Sequence, residues 1–217
     1  MINRVIPSLI VIALGALSFA ACRTENPQNT QPVIGTKSAS TKTLATFGSG
    51  CFWCGEAIFE QLRGVEKVVS GFSGGHVESP TYEQICGKQT GHAEVFQVTF
   101  DPSVISYTEL LEIFWKTHDP TTINRQGNDR GPQYRSVIFH HSDTQRKLAE
   151  SFKRRLEQSN AFDSPIVTEI SPFRKLWPAD ASHQDYYRRN ARSGYCQAVI
   201  VPKLLKFQSA FPKKLAR

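Results

Sequence analysis

The run Gly50-Cys51-Phe52-Trp53-Cys54 holds the most reactive residue types in the chain. It follows a tight turn, Gly48-Ser49-Gly50, and from Cys51 onward the pattern turns helical, with Ala57, Ile58 and Leu62 on one face. A thiol at a helix start meets unpaired backbone N–H groups and the positive end of the helix dipole. Both stabilise thiolate, so Cys51 is expected to be a nucleophile. Cys54 lies one turn further on, and two chemistries compete for such a pair. Zinc would require a second Cys or His pair at ligand spacing. Cys86 and Cys196 stand alone and His140-His141 are adjacent, so no metal is expected. The other chemistry is thioredoxin-like thiol-disulfide exchange using Cys51 and Cys54, whose motif also follows a strand and opens a helix.

Further motifs surround the pair. They are Pro80-Thr81-Tyr82-Glu83-Gln84-Ile85-Cys86, Gly91-His92-Ala93-Glu94-Val95, the stretch from His118-Asp119-Pro120 to Gly127-Asn128-Asp129, Gln133-Tyr134-Arg135-Ser136, and His183-Gln184-Asp185-Tyr186-Tyr187. In order and spacing they resemble the A-type methionine sulfoxide reductases, across about residues 44–207. The chemistry of that family explains the residue types. A sulfoxide sulfur is electrophilic and a thiolate attacks it, but its oxygen leaves only when protonated, so an acid must stand beside the nucleophile.

The resemblance implies that Glu94 is that acid. Glu94 lies mid-strand among apolar neighbours, and burial there would raise its pKa and keep it protonated near neutrality. The resemblance further implies that Tyr82 and Tyr134 hydrogen-bond the sulfoxide oxygen. Phe52 and Trp53 would cage the methyl on sulfur, and Asp129 would bind the substrate backbone or order the site. Attack leaves Cys51 as a sulfenic acid, which a second thiol condenses to a disulfide. The implied resolving thiol is Cys196, in Gly194-Tyr195-Cys196-Gln197. Some members carry two closely spaced C-terminal cysteines; here there is one, and Cys54 is additional. Cys54 is the alternative resolver, although sharing a helix turn with Cys51 would strain the bond. Cys86 is expected to be buried and inert. The implied substrate is methionine S-sulfoxide, free or in proteins. The implied reductant is an external, thioredoxin-like dithiol, with no metal or organic cofactor.

These residues need a scaffold. Leu44–Phe47 and Val65–Phe72 read as strands, with Gly64 as the cap ending the intervening helix. His92–Phe100 alternates, Ala93, Val95, Gln97 and Thr99 against Glu94, Phe96, Val98 and Phe100. Ser106-Tyr107-Thr108-Glu109 is a capping box opening a helix through Leu110, Leu111, Phe114 and Trp115. Arg135–His140 is a strand, Ser142 or Asp143 caps a helix to about Gln158, and Val167–Ile170 is a last strand. Strand-helix-strand-strand-helix-strand predicts an α+β two-layer sandwich with a ferredoxin-like βαββαβ core. Residues 119–134 and 172–192 remain as long ordered loops, which are often functional.

The ends differ from this domain. Arg4 precedes an apolar run, Val5–Ala20, of signal-peptide length, and Phe19-Ala20-Ala21-Cys22 resembles a lipobox, with Cys22 as the lipidated residue. Residues 1–22 are thus expected to be a signal peptide, 23–43 a flexible polar linker, 44–207 the catalytic domain and 208–217 a basic tail. An exported, bacterial periplasmic, membrane-anchored lipoprotein follows, working as a monomer. The net charge of +7 belongs to these ends, and residues 44–202 are close to neutral, which argues against nucleic-acid binding. A non-catalytic lipoprotein that meets a partner through the basic tail is the third reading. Met1 is the only methionine, which suits an enzyme working where methionine is being oxidised.

Overall fold

The computed structural model describes residues 42–216; the apolar run, Cys22 and the linker up to residue 41 lie outside the described residues. Strand β1 (Thr43–Ser49), helix α1 (Phe52–Phe59), strand β2 (Val65–Ser73), helix α2 (Tyr82–Cys86) and strand β3 (Ala93–Phe100) form the first half. Helix α3 (Tyr107–Thr117), the short strands β4 (Arg125–Gln126) and β5 (Asp129–Arg130), strand β6 (Ser136–His140), helix α4 (Asp143–Gln158) and strand β7 (Glu169–Pro172) follow. Strand β8 (Trp177–Pro178), helix α5 (Tyr186–Asn190) and helix α6 (Val201–Ala210) complete the domain.

The main sheet runs β7-β6-β1-β3-β2-β8. Its four inner strands pair antiparallel, with α1 linking β1 to β2 and α3 linking β3 to β6. That is the split βαβ order expected, extended by α4 and the parallel edge strand β7. The alternation along β3 decides which residues face the helices. Phe96, Val98 and Phe100 enter the main core with Phe47 and Phe114, whereas Ala93 and Val95 join Val137 and Phe139 in a smaller cluster. Aromatic rings fill the space under α1, with Phe59–Phe96 at 4.8 Å and Phe47–Phe114 at 5.1 Å. Gly55 allows this approach, because a Cβ there would lie 2.1 Å from the Phe96 ring.

The capping box at α3 forms as expected. The Ser106 hydroxyl accepts the Glu109 N–H, and the Glu109 carboxylate accepts the Ser106 N–H. The same signal at Thr81 and Gln84 opens α2 between β2 and β3. Four boundaries move. Helix α1 ends at Phe59 with Glu60 as its cap, and Gly64 instead supplies the left-handed turn (φ +93°) into β2. The last expected strand shifts to Glu169–Pro172, because the Val167 N–H donates to Pro120 O and Thr168 bonds Ser136. Strand β1 begins at Thr43, inside the expected linker. Helix α6 runs across residue 207, and the following residues return to the domain rather than forming a free tail. Leu215 bridges Leu62, the Ala216 N–H donates to Gln61 O, and Lys214 pairs with Glu109.

Candidate active site

The site lies where β1 hands the chain to α1. Gly50 takes φ +91°, and a Cβ there would lie 2.5 Å from Gln126, so the turn and the 118–126 loop fit only around glycine. Gln126 is itself clamped, donating from Nε2 to Asp119 O and accepting the Asp119 N–H at Oε1. Behind it, buried His118 donates from Nδ1 to Phe114 O and accepts the Ser136 hydroxyl at Nε2. The His118-Asp119 motif therefore braces the turn that aims Cys51.

Cys51 is the residue before α1, with extended backbone (φ −58°, ψ 125°), and Cys54 sits in the first turn. Both are nearly buried, at 6% and 2% exposure, and their side chains hydrogen-bond one another. The expected resting thiolate on Cys51 is not what this geometry favours. Burial, the hydrogen bond to Cys54 and the neighbouring Glu94 carboxyl push the Cys51 thiol well above its ordinary value. The partial charge of one short helix end does not outweigh them. Cys54 is shifted the opposite way. Its pKa falls to about 7 through the hydrogen bond from Cys51, against the opposing effect of burial and with help from Lys203.

Glu94 begins the core-facing row of β3 and is 2% exposed. One carboxyl oxygen accepts the Phe52 N–H at 3.1 Å, one of the unpaired donors opening α1. Burial nevertheless dominates and raises its pKa to about 8. The expected un-ionised carboxylic acid beside the nucleophile is thus present. Tyr82 and Tyr134 both interact electrostatically with Glu94 and with each other, and burial raises both phenols, so they remain hydroxyl donors.

The aromatic wall is larger than Phe52 and Trp53. The Trp53 ring stacks on Tyr186 at 3.6 Å and 7°, faces His183 at 5.7 Å, and meets Tyr195 edge-on at 5.6 Å. Phe52 packs on Phe72 and His183, and Tyr82 lies 4.3 Å from the His183 ring. The Tyr195 hydroxyl donates to Asp129 Oδ2 at 3.0 Å and also reaches the two thiols. His183, Tyr186 and Tyr195 were not singled out from sequence. Their signal was present in the His183–Tyr187 motif and in the residue preceding Cys196. Gln184 seats this segment by accepting the Ser70 N–H and donating to Ser70 O and Ala179 O.

Of the expected residues, Cys51, Phe52, Trp53, Cys54, Tyr82, Glu94, Asp129 and Tyr134 share this one locale. Cys196 differs: it is fully buried in the main core at the start of a π-helical turn, Cys196–Ile200, while its neighbour Tyr195 faces the thiols. Cys86, expected to be buried, is exposed at the end of α2, where it bonds Tyr82. Among the described residues no group of three or more His, Cys, Asp or Glu could hold a metal ion.

A thiol facing a neutral carboxylic acid, two phenols and an aromatic wall, on a split-βαβ sheet, defines a thiol-based oxidoreductase whose substrate offers an oxygen and a small apolar group. The profile of one family, peptide methionine sulfoxide reductase, matches residues 43–215. A Rhodopirellula baltica protein, peptide methionine sulfoxide reductase MsrA 1, is 50% identical over 183 residues, covering 84% of this chain and 94% of its own length. The MsrA of Saccharolobus solfataricus is 51% identical over 172 residues, 79% of this chain and 96% of its own. Among solved structures, reduced Mxr1 from Saccharomyces cerevisiae aligns with a TM-score of 0.66 at 32% identity, covering 73% of this chain and 91% of that one. Methionine sulfoxide reductase A of Corynebacterium diphtheriae gives 0.63 at 32% identity, covering 70% and 76%. The chain belongs to the peptide methionine sulfoxide reductase family.

Proposed function

We propose that this protein reduces methionine S-sulfoxide, free or within proteins, to methionine. The observation that carries the reading is Glu94, a carboxylic acid with a pKa of about 8 set beside the Cys51 thiol. Cys51 passes its proton along the hydrogen bond to Cys54, and its sulfur attacks the sulfoxide sulfur while Glu94 protonates the oxygen, with Tyr82 and Tyr134 donating hydrogen bonds to it. The oxygen passes to Cys51 as a sulfenic acid, and methionine leaves. Thioredoxin-like exchange, the competing reading, has no use for a methyl cage or for two phenols grouped around the acid.

Cys54 resolves the sulfenic acid in this reading. Its sulfur already contacts Cys51, and its pKa near 7 suits an attacking thiol at neutral pH. The strain expected of a shared helix turn is relieved because Cys51 stands before the helix in extended backbone. Cys196 lies in the core and would have to leave it. Attack expels water and forms the Cys51–Cys54 disulfide, which an external dithiol of thioredoxin type reduces back to two thiols. One turnover without reductant should yield about one methionine per protein from the S epimer, none from the R epimer, and a mapped Cys51–Cys54 disulfide. R-epimer reduction, or S-epimer inertness, would defeat the functional reading, and a Cys51–Cys196 bond would defeat the assignment of Cys54.

The N-terminal pattern supports a bacterial periplasmic lipoprotein: Arg4, the apolar run and Ala20-Ala21 before Cys22. Labelled palmitate should enter the protein and be lost in Cys22→Ala; label retained in that variant would exclude the anchor.

A further inference from the structure

Glu56 is a carboxyl in the middle of α1 with no part in the chemistry above. It is 2% exposed, on the helix that carries Cys51 and Cys54. A carboxyl so buried persists where it has a partner. Its partners are the backbone N–H groups of Asp185 and Tyr186, the latter at 3.3 Å from Oε2, and the Ser70 hydroxyl. These N–H groups open α5, where no side chain of the segment itself caps them. Asp185 is also held in the left-handed region, at φ +52°, a conformation a non-glycine residue keeps only when its surroundings fix it. One turn along α1, Glu60 pairs with Arg188 at 3.1 Å. Helix α1 thus grips the start of α5 through two carboxyls, of which Glu56 is the buried one.

The consequence reaches the cage directly. Tyr186, whose N–H Glu56 holds, stacks on Trp53 at 3.6 Å with nearly parallel rings. Trp53 lies on the same helix three residues before Glu56. Backbone attachment and ring contact therefore tie one short piece of α5 to α1 at two neighbouring points. We infer that Glu56 is a positioning residue: it sets Tyr186 against Trp53 and thereby fixes the width of the aromatic pocket that receives the group on the sulfoxide sulfur. This rests on reading that pocket as the substrate's apolar seat.

The test is a double-mutant cycle on the full-length protein with Tyr186→Ala. In Glu56→Ala, KM for the S-sulfoxide should rise about tenfold, as expected for losing a buried hydrogen-bonded carboxyl, while kcat stays within about twofold. Glu56→Gln keeps a carbonyl acceptor and should return KM to within about twofold of wild type. Adding Glu56→Ala to Tyr186→Ala should change KM no further, since Glu56 acts through that ring. The Trp53–Tyr186 near-UV circular dichroism should weaken equally in either single variant. Additive effects on KM, or an unchanged dichroism in Glu56→Ala, would overturn the assignment. Should Glu56→Ala fail to fold, Glu56→Met, of equal length without an acceptor, takes its place in every comparison. If wild type reduces neither epimer, the functional reading falls, and the dichroism alone still decides whether Glu56 places Tyr186.

Discussion

Cys51→Ser should lose S-sulfoxide reduction by at least about 10⁴-fold in kcat/KM, the scale of removing a nucleophile that forms a covalent bond to substrate. The substitution changes one atom, so the turn at Gly50, the start of α1 and the cage should stand. Binding is then separable from chemistry: sulfoxide should still perturb Trp53 fluorescence in Cys51→Ser with an affinity close to wild type. Cys54→Ser gives the contrasting pattern. Its first turnover should proceed and its second stall, because the sulfenic acid forms but is not resolved by its neighbour. Single-turnover assays without reductant and steady-state assays driven by a thioredoxin-type protein dithiol distinguish the two. Full activity in Cys51→Ser would sink the mechanism.

Glu94→Gln should lower the single-turnover rate by about 10²–10⁴-fold, the range of a lost general acid. Glutamine still offers a carbonyl to the Phe52 N–H, so the geometry is retained and only the transferable proton is lost. The pH profile identifies the group. Wild-type activity attributable to the acid is present while Glu94 is protonated and falls as pH rises through about 8. That falling limb should vanish in Glu94→Gln. Stability moves with it. The folded pKa lies above the ordinary 4.5, so the native state keeps a proton that the unfolded chain loses above that value. The contribution is complete below pH 4.5 and is lost as pH rises toward 8. Denaturant titrations at both ends of that window should show wild type losing stability relative to Glu94→Gln. An unaltered limb near pH 8 in the variant would assign it to another group.

Much of this was legible because period and chemistry agreed. The alternation along β3 placed Glu94 in one row with Phe96, Val98 and Phe100, and that row faces the core. The Ser106–Glu109 box fixed the start of α3. What stayed hidden depends on distant pieces. His183 and Tyr186 lie on a segment without periodicity, seated by Gln184 on Ser70, 114 residues earlier in sequence. The helix after Cys196 was masked by the β-branched run Val199-Ile200-Val201, whose strand preference tertiary packing overrides. The state of Cys51 is not legible in sequence, because the helix end is visible there while the burial and the carboxyl opposing it are not.

The proton held on Cys51 bears on how the protein survives its own surroundings. Peroxides and hypohalous acids react with thiolate far more readily than with thiol, and they overshoot sulfenic acid to irreversible sulfinic and sulfonic forms. A resting Cys51 that is neutral and 6% exposed is a poor target for them. The more acidic Cys54 is shielded further, at 2% exposure. Once a sulfenic acid forms, the adjacent thiol closes it to a disulfide, the oxidation state from which a reductant recovers the protein. Selectivity for a bound sulfoxide over a diffusing oxidant thus begins with the burial of both thiols and the raised Cys51 thiol, before any substrate arrives.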